Sequence, residues 1–220
     1  TCQSTDARDR RLRPSIFVQL DDGTSVLVDA GPDLREQALT NHIRRVDAIV
    51  FTHGHADHIL GLDDVRRFNF MQKRPMPCYA DERTVADIRQ TFAYAFDAAT
   101  QKGGGLPQLV TFTVHGSFSV GRQEVVPVPL LHGERPILGL RFGAFAYLTD
   151  CNRIPDGSWE LLDGLEVLVI DALRDRKHPT HFTLDEAIDA SRRIGARRTY
   201  FTHMCHDLPH VASSARLPEG

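Results

Sequence analysis

The stretch that decides the fold is Ala48-Ile49-Val50-Phe51-Thr52-His53-Gly54-His55-Ala56-Asp57-His58. Its first half is a continuous run of apolar, partly β-branched residues, the pattern of a buried strand. Its second half packs three imidazoles and a carboxylate into six residues. Imidazole suits zinc, iron and other transition metals, and a carboxylate extends the choice to manganese. Core packing asks for no such set at a strand end, so the run reads as a metal-binding loop where a strand finishes.

Four more apolar runs finish in the same way. Val26-Leu27-Val28 ends in Asp29, Val128-Pro129-Leu130-Leu131 in His132, Ala146-Tyr147-Leu148-Thr149 in Asp150, and Tyr200-Phe201-Thr202 in His203. A lone His at a strand end is an ordinary core residue. Five ligand-type residues at five strand ends are not, because sites in α/β folds gather where strand ends converge.

The remaining pattern is strand-rich with helices between. Ser15–Leu20 and Ser25–Asp29 flank the hairpin signal Asp21-Asp22-Gly23. Asp33–Asn41 reads as a short helix. Ile59, Leu62, Val65 and Phe68 recur at helical spacing, so one helix is expected from near Asp57. Thr84–Ala99 is expected as a second, with Val85, Ile88, Phe92 and Phe96 on one face. Cys78–Ala80, Leu109–Val114, Phe118–Val120, Glu124–Leu131, Leu138–Phe142, Phe145–Thr149, Val167–Ile170 and Arg198–Thr202 read as strands. Thr183 with Glu186 makes a capping box ahead of a helix over Leu184–Ile194, which Gly195 ends. Gly103-Gly104-Gly105 is a hinge signal, and 70–106 is a candidate helical lid.

Composition bounds the rest. The 220 residues fit a single domain over 1–220. A net charge of −3 gives no electrostatic case for a nucleic-acid partner. The basic clusters Arg8–Arg13, Arg66-Arg67, Arg192-Arg193 and Arg197-Arg198 read as solvated faces. The four Cys form no CxxC pair or disulfide framework, which fits reduced thiols and a cytoplasmic protein. No apolar run is long enough to span a bilayer, and no signal peptide is evident.

The series His53-x-His55-x-Asp57-His58, His132, Asp150, His203, preceded by Leu27-Val28-Asp29-Ala30-Gly31, resembles the metallo-β-lactamase superfamily of binuclear hydrolases. The likeness runs through almost the whole chain in the right order. It implies an α/β (α+β) fold, a four-layer αββα sandwich of two mixed β-sheets with helices on the outer faces. It also implies two divalent ions, zinc or manganese with iron ranked after them. His53, His55 and His132 would hold the first ion, Asp57, His58 and His203 the second, and Asp150 would bridge. Asp29 would orient ligand imidazoles from behind. An Asp bridge rather than a Cys favours a phosphoesterase or lactonase over a β-lactamase.

The segment His178-Pro179-Thr180-His181-Phe182-Thr183-Leu184-Asp185 resembles a motif of phosphodiesterases in this superfamily, nearest to the phosphoribosyl cyclic phosphate phosphodiesterase group. By that likeness His181 contacts the scissile phosphate and protonates the leaving oxygen, after attack by a hydroxide shared between the two ions. His181, Asp57 and Asp29 are the catalytic candidates; His178 is expected at the surface. The implied substrate is a small phosphodiester, a cyclic one first. Lactonase, thioesterase, tRNA 3′-end nuclease and a non-hydrolytic metal-binding protein are the alternatives. The group also pairs a His at the place of His206 with N-terminal cysteines in a structural zinc site, for which Cys2 and His206 are candidates here. The family's further terminal strands are expected beyond both ends of this sequence. Their absence would uncover sheet edges and favour a homodimer.

Overall fold

The computed structural model describes residues 1, 3–100 and 105–218. Cys2 and the first two glycines of the hinge signal, Gly103 and Gly104, lie outside the described residues. In chain order the elements are β1 (Ile16–Gln19), β2 (Ser25–Val28), α1 (Leu34–Thr40), β3 (Ala48–Val50), α2 (Ala56–Ile59), α3 (Arg66–Gln72), β4 (Met76–Ala80), α4 (Glu82–Thr91), α5 (Ala93–Phe96), β5 (Leu109–Thr113) and β6 (Phe118–Val120). They continue with β7 (Gln123–His132), β8 (Arg135–Phe142), β9 (Phe145–Leu148), β10 (Val167–Asp171), α6 (Leu184–Ile194), β11 (Arg198–Thr202) and α7 (His210–Ser214). The strands form two mixed sheets in an α/β arrangement, β1-β2-β3-β4-β5 and β11-β10-β9-β8-β7-β6. In the first, the β1–β2 hairpin is antiparallel and β2 through β5 run parallel. In the second, β9, β10 and β11 run parallel while β7, β8 and β9 are antiparallel. Among the described residues no helix is long and apolar enough to cross a membrane.

The chain divides into two compact units, an N-terminal one over 13–123 and a C-terminal one over 124–220 with 1–12. In the N-terminal unit, residues of β2, β3 and β4 (Leu27, Ile49, Met76, Cys78, Ala80), with Phe51 just past β3, pack with Leu34, Leu62, Val65, Phe68 and Ile88 from the helical segments. In the C-terminal unit, Val128, Leu130, Ile137, Leu148, Leu168 and Ile170 pack with Leu184, Ala187 and Ile188 of α6. Each such large aliphatic side chain contributes about 1.5–3 kcal/mol on burial. The expected capping box is present: Thr183 Oγ1 accepts from the Glu186 N–H, Glu186 accepts from the Thr183 N–H, and Gly195 closes α6 in the left-handed region. Arg11, read as part of a solvated cluster, instead clasps the chain after β11. Its guanidinium donates to the carbonyls of Cys205 (3.0 Å) and Leu208 (2.6 Å).

Two expected helices are interrupted. The apolar spacing from Ile59 to Phe68 is real, but the chain passes from α2 through a 3₁₀ turn, Leu62–Val65, into α3. The break comes from a distant contact. The Gly61 N–H donates to the Ala30 carbonyl at 2.8 Å, and the Ala30 N–H donates to that of His58 at 2.7 Å. A Cβ on Gly61 would overlap the Gly31 carbonyl oxygen, and one on Gly31 would overlap that of Asp57. The second helix breaks at buried Phe92, which leaves the helical region at φ −109°, ψ 37°. The segment expected as a lid supplies β4, inside the first sheet, and α4, whose Ile88 is buried in the core.

Gly61 is therefore fixed by backbone that cannot move aside. Gly61→Ala should cost about 2–3 kcal/mol, as overpacked interiors do, and lower Tm by about 4–12 °C for a chain of this size. A thermal melt of the purified variant checks this; an unchanged Tm would show that the two segments separate freely.

Candidate metal centre

In the N-terminal unit the donor cluster is built on Asp29, which follows β2 and is fully buried. Its Oδ1 accepts from the Thr52 N–H at 2.9 Å, and its Oδ2 from the Thr52 hydroxyl at 2.8 Å. The same Oδ2 lies 2.8 Å from His58 Nδ1. A carboxylate only accepts, so His58 carries its proton on Nδ1, which makes Nε2 the acceptor nitrogen of the ring. The Thr52 hydroxyl spends its proton on Asp29, so at 3.0 Å it accepts from His53 Nδ1. That fixes His53 in the same tautomer. The two rings lie 4.2 Å apart, and His53 is 4.5 Å from His55. Asp57 Oδ2 is 3.6 Å from His58 Nε2. Gly54 is needed between the imidazoles because a Cβ there would run into the Asp87 side chain of α4.

The C-terminal unit builds its own cluster from strand ends. His132 closes β7, and its Nδ1 donates to the carbonyls of Asp150 (2.6 Å) and Thr180 (3.0 Å), so again Nε2 is the acceptor nitrogen. Burial first, and then the neighbouring His181, holds His132 below the ordinary imidazole value, which keeps it neutral. Asp150 follows β9; Thr149 Oγ1 donates to its Oδ1 at 2.6 Å, and its Oδ2 lies 3.2 Å from His203 Nε2. Ligand atoms of His132, Asp150 and His181 all lie within 4.8 Å of one another, and so do those of Asp171, His181 and His203.

Asp171 is a candidate site residue that sequence reasoning missed. It is the last residue of β10 and wholly buried. Its carboxylate accepts from His181 Nδ1 at 3.2 Å and from the Phe182 N–H at 3.0 Å. The signal was available: Val169-Ile170-Asp171 repeats the pattern of the other strand ends, but the expected strand stopped one residue short. His178 is half-buried, with its ring 5.0 Å from that of His181.

Three of the strand-end residues adopt the left-handed backbone region, Asp29 at φ 62°, Asp150 at 56° and His203 at 57°. For a non-glycine residue this costs about 1–2 kcal/mol. Such strain collects where a site needs a side chain aimed off the end of its strand.

The donor set fits divalent transition metals. Each unit offers imidazoles oriented through Nδ1, together with carboxylates. The proposed structural zinc is not assembled by the described residues. Cys2 lies outside them, and His206 is largely exposed, its Nε2 3.4 Å from Asp207 Oδ1. Cys78 and Cys151 are buried thiols, the first pushed up to about 12 by burial and the second also raised by burial; Cys205 is half-buried.

Asp29→Asn keeps the volume but turns one acceptor into a donor, which disrupts the His58 tautomer. Metal affinity should fall about 10–100-fold, the scale for groups behind a ligand. Titration of the metal-free protein with zinc checks this; wild-type affinity would remove Asp29 from the centre.

Comparison with known proteins gives a consistent result. Residues 24–204 match the model of the Beta-lactamase superfamily domain. The chain is 36% identical over 209 residues to an octanoyltransferase of Porphyromonas gingivalis, covering 94% of this chain but only 42% of that protein. It is 29% identical over 250 residues to coenzyme PQQ synthesis protein B of Xanthomonas oryzae pv. oryzae, covering 98% of this chain and 76% of that one. Among solved structures, a diphosphatase from the PhnP family aligns with a TM-score of 0.92 and 48% identity, over 100% of this chain and 83% of that one. The fold protein YhfI of Bacillus subtilis, at 16% identity and a TM-score of 0.76 over 94% of this chain and 84% of that one, shares the fold. The chain belongs to the beta-lactamase superfamily and, within it, to the PhnP-like group.

Proposed function

We propose that this metallo-β-lactamase-fold hydrolase cleaves the phosphodiester bond of a small phosphorylated molecule, a cyclic phosphate first among them. The observation that carries the reading is the buried Asp171–His181 pair beside His132 and His203. With Nδ1 held by Asp171, His181 exchanges a proton only at Nε2. The carboxylate behind it stabilises the imidazolium, as a general acid for a departing alkoxide requires. His181 also lies two residues before the N-cap of α6, where the helix end favours anionic oxygens.

By family likeness, His53, His55 and His132 would hold one divalent ion, and Asp57, His58 and His203 a second, with Asp150 contributing to both. When bound, two such ions supply an activated water and neutralise charge on the phosphoryl oxygens. The chain's own residues do the rest. Asp29 and Thr52 keep His53 and His58 in the ligating tautomer. The Asp150 and Thr180 carbonyls do the same for His132. His181 delivers its Nε2 proton to the leaving oxygen.

The 48% identical diphosphatase favours a second reading, a phosphoanhydride as the scissile bond. Both are phosphoryl transfers to water and use the same residues. Acyl transfer has less support, since the chain spans only 42% of the octanoyltransferase it matches. The net charge of −3 likewise gives no electrostatic case for a tRNA substrate.

The test is hydrolysis of a 2′,3′-cyclic nucleotide and of bis(p-nitrophenyl) phosphate by the metal-loaded chain. His181→Ala should lower turnover about 10²–10⁴-fold with metal content unchanged. Full turnover in that variant, or loss of metal along with activity, would defeat the acid assignment.

A further inference from the structure

We propose that His178 is a substrate-binding residue, a neutral hydrogen-bond donor to a phosphoryl oxygen of the molecule on which His181 acts. The inference rests on the phosphoryl-transfer reading above. His178 was expected at the surface with no role, and the structure gives it a held position instead. Its Nδ1 lies 3.3 Å from the Thr180 N–H and 3.1 Å from Thr180 Oγ1. A backbone N–H can only donate, so Nδ1 accepts and the proton of the neutral ring sits on Nε2. His178 and His181 are thus neighbours with opposite tautomers, one with Nδ1 accepting and the other with Nδ1 donating to Asp171.

The turn that carries His178 is fixed to the metal-type residues. The Pro179 carbonyl accepts from Asn152 Nδ2 at 3.0 Å, and Asn152 Oδ1 accepts from the Gly133 N–H at 2.8 Å. The Thr180 carbonyl accepts from His132 Nδ1. A ring that only needed solvent would not require this framing. The cations of the same loop are otherwise engaged: Arg174 donates to the carbonyls of Arg176 and Lys177, Arg176 pairs with Asp207, and Lys177 with Glu186. Among the described residues His178 Nε2–H has no hydrogen-bond partner, and its ring lies beside that of His181. A neutral donor there takes an anionic oxygen without competing with His181 for a proton.

The test compares wild type, His178→Ala and His178→Gln, all metal-loaded, using pyrophosphate binding by calorimetry and turnover of bis(p-nitrophenyl) phosphate. A hydrogen bond to a charged oxygen is worth about a tenfold change in affinity or more. His178→Ala should weaken pyrophosphate binding and raise KM by about tenfold, with kcat within about threefold. His178→Gln, which places an amide N–H near the same point, should recover most of the loss. Metal content and Tm should match wild type in both. Unchanged KM and affinity in His178→Ala, a fall in kcat at constant KM, a loss of metal or a fall in Tm would each overturn the assignment. Wild type that neither binds pyrophosphate nor turns over the diester would instead defeat the phosphoryl-transfer reading, a result read without any variant.

Discussion

The buried carboxylate of Asp29 is the constraint on which the donor cluster of the N-terminal unit depends. It is removed from water and accepts three hydrogen bonds, two from Thr52 and one from His58. A buried charge is tolerated only with such satisfaction. The consequence is chemical, because two imidazoles are left protonated on Nδ1, with Nε2 as the acceptor nitrogen. The geometry also needs the glycine-lined approach of the Asp29-Ala30-Gly31 turn to α2, which brings His58 to Asp29. Fold and ligand tautomer are here one arrangement.

The cluster of the C-terminal unit reaches the same end with different parts. Backbone carbonyls orient His132, and Asp171 orients His181. Parallel β9, β10 and β11 deliver Asp150, Asp171 and His203 at one end of the sheet. Two of those three strand ends, Asp150 and His203, adopt a left-handed backbone, a cost the surrounding strands must outweigh.

Much of this was legible in the sequence because strand ends carry a local signature. An apolar run that stops at His or Asp needs no knowledge of the partner strand, and Asp29, His132, Asp150 and His203 all stand where that rule puts them. The rule failed at Asp171 through a one-residue error in the strand boundary, the least determined feature of any such pattern. Other features were invisible for a different reason. The break at Gly61 is imposed by the Gly31 backbone, the clasp of Arg11 by carbonyls nearly two hundred residues away, and the tautomer of His178 by a turn whose geometry is set by Asn152. Periodicity reports which face of an element is apolar; it is silent on what approaches that element from elsewhere in the chain. Short α7 likewise carries too few residues for a helical period to show.

The imidazoles and carboxylates of these clusters are proposed to hold two divalent ions and to hydrolyse phosphate esters with them. The most direct measurement is metal content by plasma mass spectrometry on carefully prepared protein, paired with hydrolysis of bis(p-nitrophenyl) phosphate before and after chelation. About two ions per chain, with turnover lost on chelation and restored by zinc or manganese, is the predicted result. Protein that binds no metal, or whose turnover ignores the chelator, would contradict it.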